Sequence, residues 1–421
     1  MRTFDVLLGD VLAGYLVDDE SGRVAFQTAP AYRALAQRPV LGQQFEDDLG
    51  GTFEGEPGRL PSFFANLVPE GPVRDLIVRS TGVPARDDLA LLSAVGTDLP
   101  GAVVIRPSGE RPPFSLGAPA VPAPGPASDV EVPPMRLRFS VAGVQMKFSV
   151  LRDGEKVALP VHDDYGDWLL KLDSPSISGL VANEFATMEW ARAAGFEVPH
   201  CEVIAPGALP DQIRSLDPPD QPAFLIGRYD RGPGRRIHQE DMAQVLGLYP
   251  ECKYGRQEQA ECPPISYTQI LSVLRGLGRD LYVEGIRRLA LMVATGNDDA
   301  HLKNWSLFYP DGARPQLSPL YDQVAIAAWR GATMDWALAW NGVRNKAKRT
   351  TATTIPSLAG MVGESRAEAA NQVQDVLESL VEAWPGVAAL YPNGHAEAIR
   401  RYWREVPLLR PLTKRLSRSE G

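Results

Sequence analysis

The residues best suited to chemistry lie in Thr295-Gly-Asn-Asp-Asp-Ala-His-Leu-Lys-Asn304, where Asp299 and Asn304 are separated by four others. D-x-x-x-x-N is the spacing of a phosphotransfer loop: a carboxylate orients the attacking hydroxyl and accepts its proton, while an amide oxygen a turn later holds a magnesium ion. Taken alone, the pattern also suits a polar loop whose Asp and Asn bond their own backbone. The residues that follow shift the balance. Trp305 to Tyr309 reads as a strand, Asp311-Gly312 as a turn, and Gln316 to Leu320 as a return towards Asp322. Such a hairpin delivers a second hard-oxygen ligand, Asp322, to the magnesium held by Asn304.

Phosphoryl transfer also requires cover and positive charge for the phosphates. Ser140-Val-Ala-Gly-Val-Gln-Met-Lys147 offers a small-residue turn at Gly143 with Lys147 beside it, although it is neither a Walker A motif nor a G-x-G-x-x-G loop. Lys171 closes the apolar strand Trp168-Leu-Leu-Lys-Leu172, where a buried ammonium needs an anionic partner. Glu184 is a candidate to orient it, and an exposed edge-strand lysine is the alternative.

Three stretches must position these groups. Strands are expected at Phe4 to Leu8, Tyr15 to Val17 and Arg23 to Phe26, with helices at Ser62 to Leu67 and Val73 to Val78, forming a small mixed α/β N-terminal subdomain over 1–105. Residues 106–134 are rich in Pro, Gly, Ala and Ser and read as a linker. A strand-rich lobe over 135–232 has a hairpin around Asp153-Gly154, strands at 168–172, 202–205 and 223–229, and a helix near 181–194. A helical lobe over 233–421 has helices near 241–246, 267–276 and 281–295. The whole reads as an α+β, two-lobed, protein-kinase-like core behind the N-terminal subdomain.

Composition narrows the classes. The chain has 421 residues, 44% of them hydrophobic, enough for two or three domains. Its formal charge of -9 disfavours wholesale coating of nucleic acid, and the basic stretch from Arg400 to Arg418 reads as a solvated terminal helix and tail. Asp5 and Asp10 interrupt the only apolar N-terminal stretch, and no run of eighteen apolar residues occurs, so a cytoplasmic protein without a membrane segment is expected. Cys201, Cys252 and Cys262 form no CxxC pair and no even set, which predicts free thiols in a reducing compartment and no thiolate metal site.

Ser140 to Lys147, Asn183-Glu184, Arg228-Tyr-Asp-Arg231, His238-Gln-Glu-Asp241, Asn297 to Asn304 and Leu320-Tyr-Asp322 together resemble the HipA kinases of bacterial toxin-antitoxin modules. Asn66-Leu-Val-Pro-Glu-Gly71 and Gly96-Thr-Asp-Leu-Pro-Gly-Ala102 resemble that family's N-terminal subdomain, so the likeness spans nearly the whole chain. It implies a serine/threonine protein kinase using ATP and Mg2+, with Asp299 as catalytic base and Asn304 and Asp322 as metal ligands. The implied ATP-binding residues are Ser140, Val141, Ala142, Gly143, Gln145 and Lys147 in the phosphate loop, then Lys171, Glu184, Arg228, Tyr229, Gln239, His301 and Lys303. Ser140 matches a serine that family members autophosphorylate, which would repel ATP and switch the kinase off. The implied partners are a HipB-like helix-turn-helix antitoxin, operator DNA reached through it, and a protein substrate, an aminoacyl-tRNA synthetase of glutamyl type. Asp298, where the family more often has threonine, adds either a like charge beside Asp299 or a loop cap. A small-molecule kinase and a non-catalytic antitoxin-binding corepressor are the competing readings.

Overall fold

The computed structural model describes residues 2–19, 21–96, 98–109, 146–160, 165–173, 177–216, 220–255, 262–343 and 345–413. Most of the expected linker, the stretch from Ser140 to Gln145, and the last basic residues, Lys414, Arg415 and Arg418, lie outside them. The chain forms two compact units. One comprises Met1–Pro175, Ile204–Pro250 and Ser306–Gln316; the other comprises Ser176–Val203, Glu251–Trp305 and Leu317–Gly421.

The first unit begins with five strands, β1 (Arg2–Leu8), β2 (Val11–Asp18), β3 (Val24–Thr28), β4 (Thr52–Glu54) and β5 (Val103–Pro107), ordered β4-β3-β2-β1-β5 with antiparallel neighbours. Alternation sets the faces: Phe4, Val6 and Leu8 are buried, with Asp5 between the first two. β4 is too short to show a period, and β5 extends the subdomain sheet to Pro107 by pairing with Phe4. Phe26, Phe45, Phe63 and Phe64 fill the core with tilted and edge-on ring contacts.

A second sheet carries the strands β6 (Lys147–Asp153), β7 (Lys156–Ala158) and β8 (Trp168–Leu172) beside Ala223–Gly227, in the order β7-β6-β8 and then Ala223–Gly227. The Asp153-Gly154 signal is met: Asp153 pairs with Lys156 across a two-residue turn, and Gly154 takes φ +59 there. His238–Asp241 also belongs to this unit and pairs antiparallel with Ser306–Tyr309, the strand of the expected hairpin. Asp241 ends that strand and caps the helix Met242–Val245 through a reciprocal bond with Gln244, so the helix starts one residue later than periodicity indicated.

The second unit is helical. Its principal helices are Leu180–Ala193, Tyr267–Leu277, Arg279–Thr295, Arg366–Val387 and His395–Glu405. The helix expected near 181–194 in the strand-rich lobe forms at Leu180–Ala193 and lies in the helical unit, while 233–250 and 306–316 lie with the strands. Trp190, Trp384 and Trp403 pack within 5.6 Å of one another, ring centre to centre. The Trp403 indole and the Tyr402 hydroxyl donate to the carbonyls of Ala294 and Val293, each at 2.7 Å. These bonds serve carbonyls in the last turn of Arg279–Thr295, where the helix runs out of amide donors; the Val293 carbonyl also accepts from the Gly296 amide at 3.3 Å.

The cysteines correct the expectation of free thiols. Cys252 and Cys262 form a disulfide across a separation of 10 residues, and Cys201 alone is a buried thiol. An odd count excludes full pairing but not one bridge, and the fold brings these two α-carbons to 5.3 Å. Among the described residues, no helix is long and apolar enough to cross a membrane.

Candidate active site

In the helical unit, the Asp299 loop begins where Arg279–Thr295 stops at Gly296, in a left-handed conformation with φ +60. A β-carbon there would lie 2.6 Å from that of Ala327 and 2.7 Å from Cε of Met334, so the turn has room only for glycine. Asn297 organises the next step. Its Oδ1 accepts from the Asp299 backbone at 3.2 Å, and its Nδ2 donates to the Asp322 carbonyl at 3.4 Å. Asn304 donates from Nδ2 to the Asp299 carbonyl at 2.8 Å, which leaves its amide oxygen as the group able to hold a cation.

Asp322 has φ +52, one of three non-glycine residues with positive φ among those described. Such backbone strain needs neighbours that enforce it. Tyr321 donates its hydroxyl to the Lys303 carbonyl at 2.9 Å. Three residues beyond Asp322, the Ala325 amide donates to Asn183 Oδ1 at 2.8 Å, which anchors the segment to the helix Leu180–Ala193. The segments bearing Asp299, Asn304 and Asp322 are thus joined by hydrogen bonds inside one unit. His301 is buried, its Nδ1 has no partner among the described residues, and burial pushes its pKa down. Asp298 turns away to an ion pair with Arg330 at 2.6 Å. Its carboxyl is pushed up to about 6 by burial, with Asp299 adding to the rise and Arg330 opposing it.

In the strand-rich unit, Lys147 and Lys171 face each other on adjacent strands, 5% and 2% exposed. Lys171 lies in a strand with neighbours on both sides, which removes the edge-strand alternative. The Tyr229 hydroxyl donates to the Gln239 side chain, and the Tyr229 ring meets Phe308 edge-on. Glu184, in the helical unit, is buried in Leu180–Ala193.

Residues 139–384 match the family model described as the HipA-like C-terminal domain, and residues 4–106 match the HipA N-terminal domain. The chain belongs to the HipA family. It is 37% identical over 335 residues to Y4dM of Sinorhizobium fredii, a provisionally named kinase, covering 76% of each chain. It is 28% identical over 360 residues to the serine/threonine-protein kinase toxin HipA of Shewanella oneidensis, covering 80% of this chain and 78% of that one. The fold matches that of HipA in the Shewanella oneidensis complex with HipB and operator DNA, with a TM-score of 0.73 and 22% identity over 99% and 97% of the two chains.

In this HipA-family chain, the Arg228-Tyr-Asp-Arg231 motif proves to be a structural lock. Arg228 is wholly buried, donating to Asp98 at 2.7 Å and to both Asp230 oxygens at 3.0 Å, while Arg231 bridges the same two carboxylates at 2.9 Å. Burial would raise both carboxylates, yet the two guanidiniums hold them below the usual range. The Gly101 amide adds a bond to Asp230 at 2.7 Å. The side chain of Arg228, expected in the nucleotide pocket, is thus engaged with the N-terminal subdomain.

Asn304 and Asp322 fit a magnesium ion, which takes one or two protein oxygens and fills the remainder of its octahedron with phosphates and water. The residues that sequence reasoning missed are Asn297 as organiser, Tyr321 as staple, and Tyr254, whose hydroxyl donates to Asp299 Oδ1 at 2.7 Å. No local pattern marks a tyrosine 45 residues upstream.

Proposed function

We propose that this HipA-family chain is an ATP-dependent serine/threonine protein kinase, acting in the cytoplasm as the toxin of a toxin-antitoxin module. The observation that carries this reading is the joining of the Asp299, Asn304 and Asp322 segments through Asn297 and Tyr321. Asp299 orients the substrate hydroxyl and takes its proton as the oxygen bonds to the γ-phosphorus and the bond to ADP breaks. Asn304 and Asp322 hold Mg2+, which when bound neutralises charge on the transferred group. Lys171 and Lys147 serve the phosphates as point charges. The substrate is a translation component, an aminoacyl-tRNA synthetase of glutamyl type. A HipB-like antitoxin restrains the kinase and carries it to operator DNA, and phosphorylation of Ser140 switches it off. The name of the Shewanella oneidensis relative supports the kinase and toxin reading, and the HipA–HipB–DNA assembly of the matched structure supports the antitoxin and operator; the synthetase substrate and the role of Ser140 rest on the resemblance of the motifs.

The test is expression without a partner, followed by phosphopeptide mapping. The wild-type chain should arrest growth and modify a synthetase and Ser140, whereas Asp322→Ala should do neither. Equal toxicity of the two proteins would point to another activity, and phosphate found only on small molecules would favour a small-molecule kinase.

A further inference from the structure

Tyr254 ends the short helix Pro250–Tyr254, and its hydroxyl donates to Asp299 Oδ1 at 2.7 Å. Asp299 is solvent-exposed, and an exposed carboxylate samples several rotamers unless something holds it. The Tyr254 ring packs edge-on against His301, with ring centres 5.0 Å apart, so the tyrosine is braced from within the same loop. Its own segment is tied down in three ways. Cys252 is disulfide-bonded to Cys262, and the Gly255 amide donates to the Cys252 carbonyl at 2.8 Å. Gly255 takes φ +57 against Ile265, whose carbonyl would lie 2.7 Å from any β-carbon added there.

We propose that Tyr254 is the positioning residue of Asp299 and that the Cys252–Cys262 disulfide holds it in place. This rests on the kinase reading of Asp299. A phenol has one proton to give; on Oδ1 it fixes the carboxylate plane and leaves Oδ2 to accept the proton of the substrate hydroxyl. Opening the disulfide returns conformational freedom to the segment and weakens that restraint. A dithiol does this with a balanced exchange. Its two thiols supply two electrons and two protons, its sulfurs close into a disulfide, and the Cys252–Cys262 bond becomes two thiols.

The experiment uses the full chain labelled with 3-fluorotyrosine, the Tyr254 resonance being assigned by its loss in Tyr254→Phe. Asp299→Asn and dithiothreitol should each shift that resonance. With Mg-ATP, Tyr254→Phe, which keeps the ring on His301, should lower kcat about tenfold with KM for ATP unchanged, the size of one lost hydrogen bond. Dithiothreitol, or the double change Cys252→Ser and Cys262→Ser, should lower kcat in the same direction, with no further effect on Tyr254→Phe. A resonance indifferent to Asp299→Asn, or a Tyr254→Phe protein with wild-type kcat, overturns the proposal. Failure of the kinase reading looks different: the wild-type chain itself transfers no phosphate, which removes the catalytic role while the resonance still reports the contact.

Discussion

The Tyr321 hydroxyl donates to the carbonyl of Lys303 at 2.9 Å, joining the residue before Asp322 to the residue before Asn304. Two prospective magnesium ligands 18 positions apart in sequence are thereby fixed through their neighbours. The bond contributes about 1 kcal/mol of net stability, and in a site that demands sub-ångström placement its larger effect is on geometry. Tyr321→Phe should lower turnover roughly tenfold and raise the magnesium concentration needed for half-maximal rate, with the melting temperature shifted by only a few degrees. Steady-state rates over a magnesium titration check this; an unchanged magnesium dependence removes Tyr321 from the site.

Asp299 faces a different test because its role is proton acceptance. Asp299→Asn keeps size and one acceptor oxygen but cannot take the hydroxyl proton, so phosphoryl transfer should fall by about 10²-fold or more. ATP binding should persist, since the phosphate-holding groups are untouched. Calorimetric titration with ATP alongside a transfer assay separates the two. Wild-type turnover in the variant would exclude Asp299 as the base.

Arg228 distinguishes a structural ion pair from a nucleotide contact. Its guanidinium is fully buried between Asp98 and Asp230, so removing it leaves two carboxylates in a dry environment with Arg231 as their one remaining cationic partner among the described ion pairs. Arg228→Ala should cost about 3–5 kcal/mol of stability, read as a lower urea midpoint. Were the side chain instead to serve ATP, affinity would fall and the midpoint would hold.

The candidate loop stood out in the sequence because its pattern is local: Asp299, Asn304 and the return to Asp322 sit within one short stretch whose spacing carries the information. Strand and helix periods placed the β6–β7 hairpin and Arg279–Thr295 for the same reason. Illegible were the links that depend on closure of the fold. Arg228 reaches Asp98 over 130 residues, Tyr254 reaches Asp299 over 45, and His238–Asp241 becomes a strand only by pairing with Ser306–Tyr309. The Arg228-Tyr-Asp-Arg231 motif entered as part of a family resemblance, and only burial reveals the carboxylate partners of its two arginines. Cysteine parity failed likewise, since counting cannot detect two α-carbons brought to 5.3 Å.

Glu240 makes the strand-rich unit sensitive to pH. It lies buried on His238–Asp241, accepting from the Gln43 backbone at 3.0 Å and from the Tyr309 hydroxyl. Burial pushes its carboxyl up to about 8, with the nearby charges of Asp241 and Glu46 adding to the rise; the two donors favour the ionised form but do not offset it. Because the folded value exceeds the unfolded one, the folded chain binds this proton more tightly. The stabilising contribution is complete below about pH 4.3 and is lost as pH climbs towards 8. Glu240→Gln keeps an acceptor oxygen for Tyr309 and the Gln43 amide without the ionisation. It should match the wild type near pH 4 and exceed its stability near pH 8 by on the order of a few kcal/mol. Urea midpoints at the two pH values test this: if wild type and variant fall in parallel between them, the pH dependence has another source.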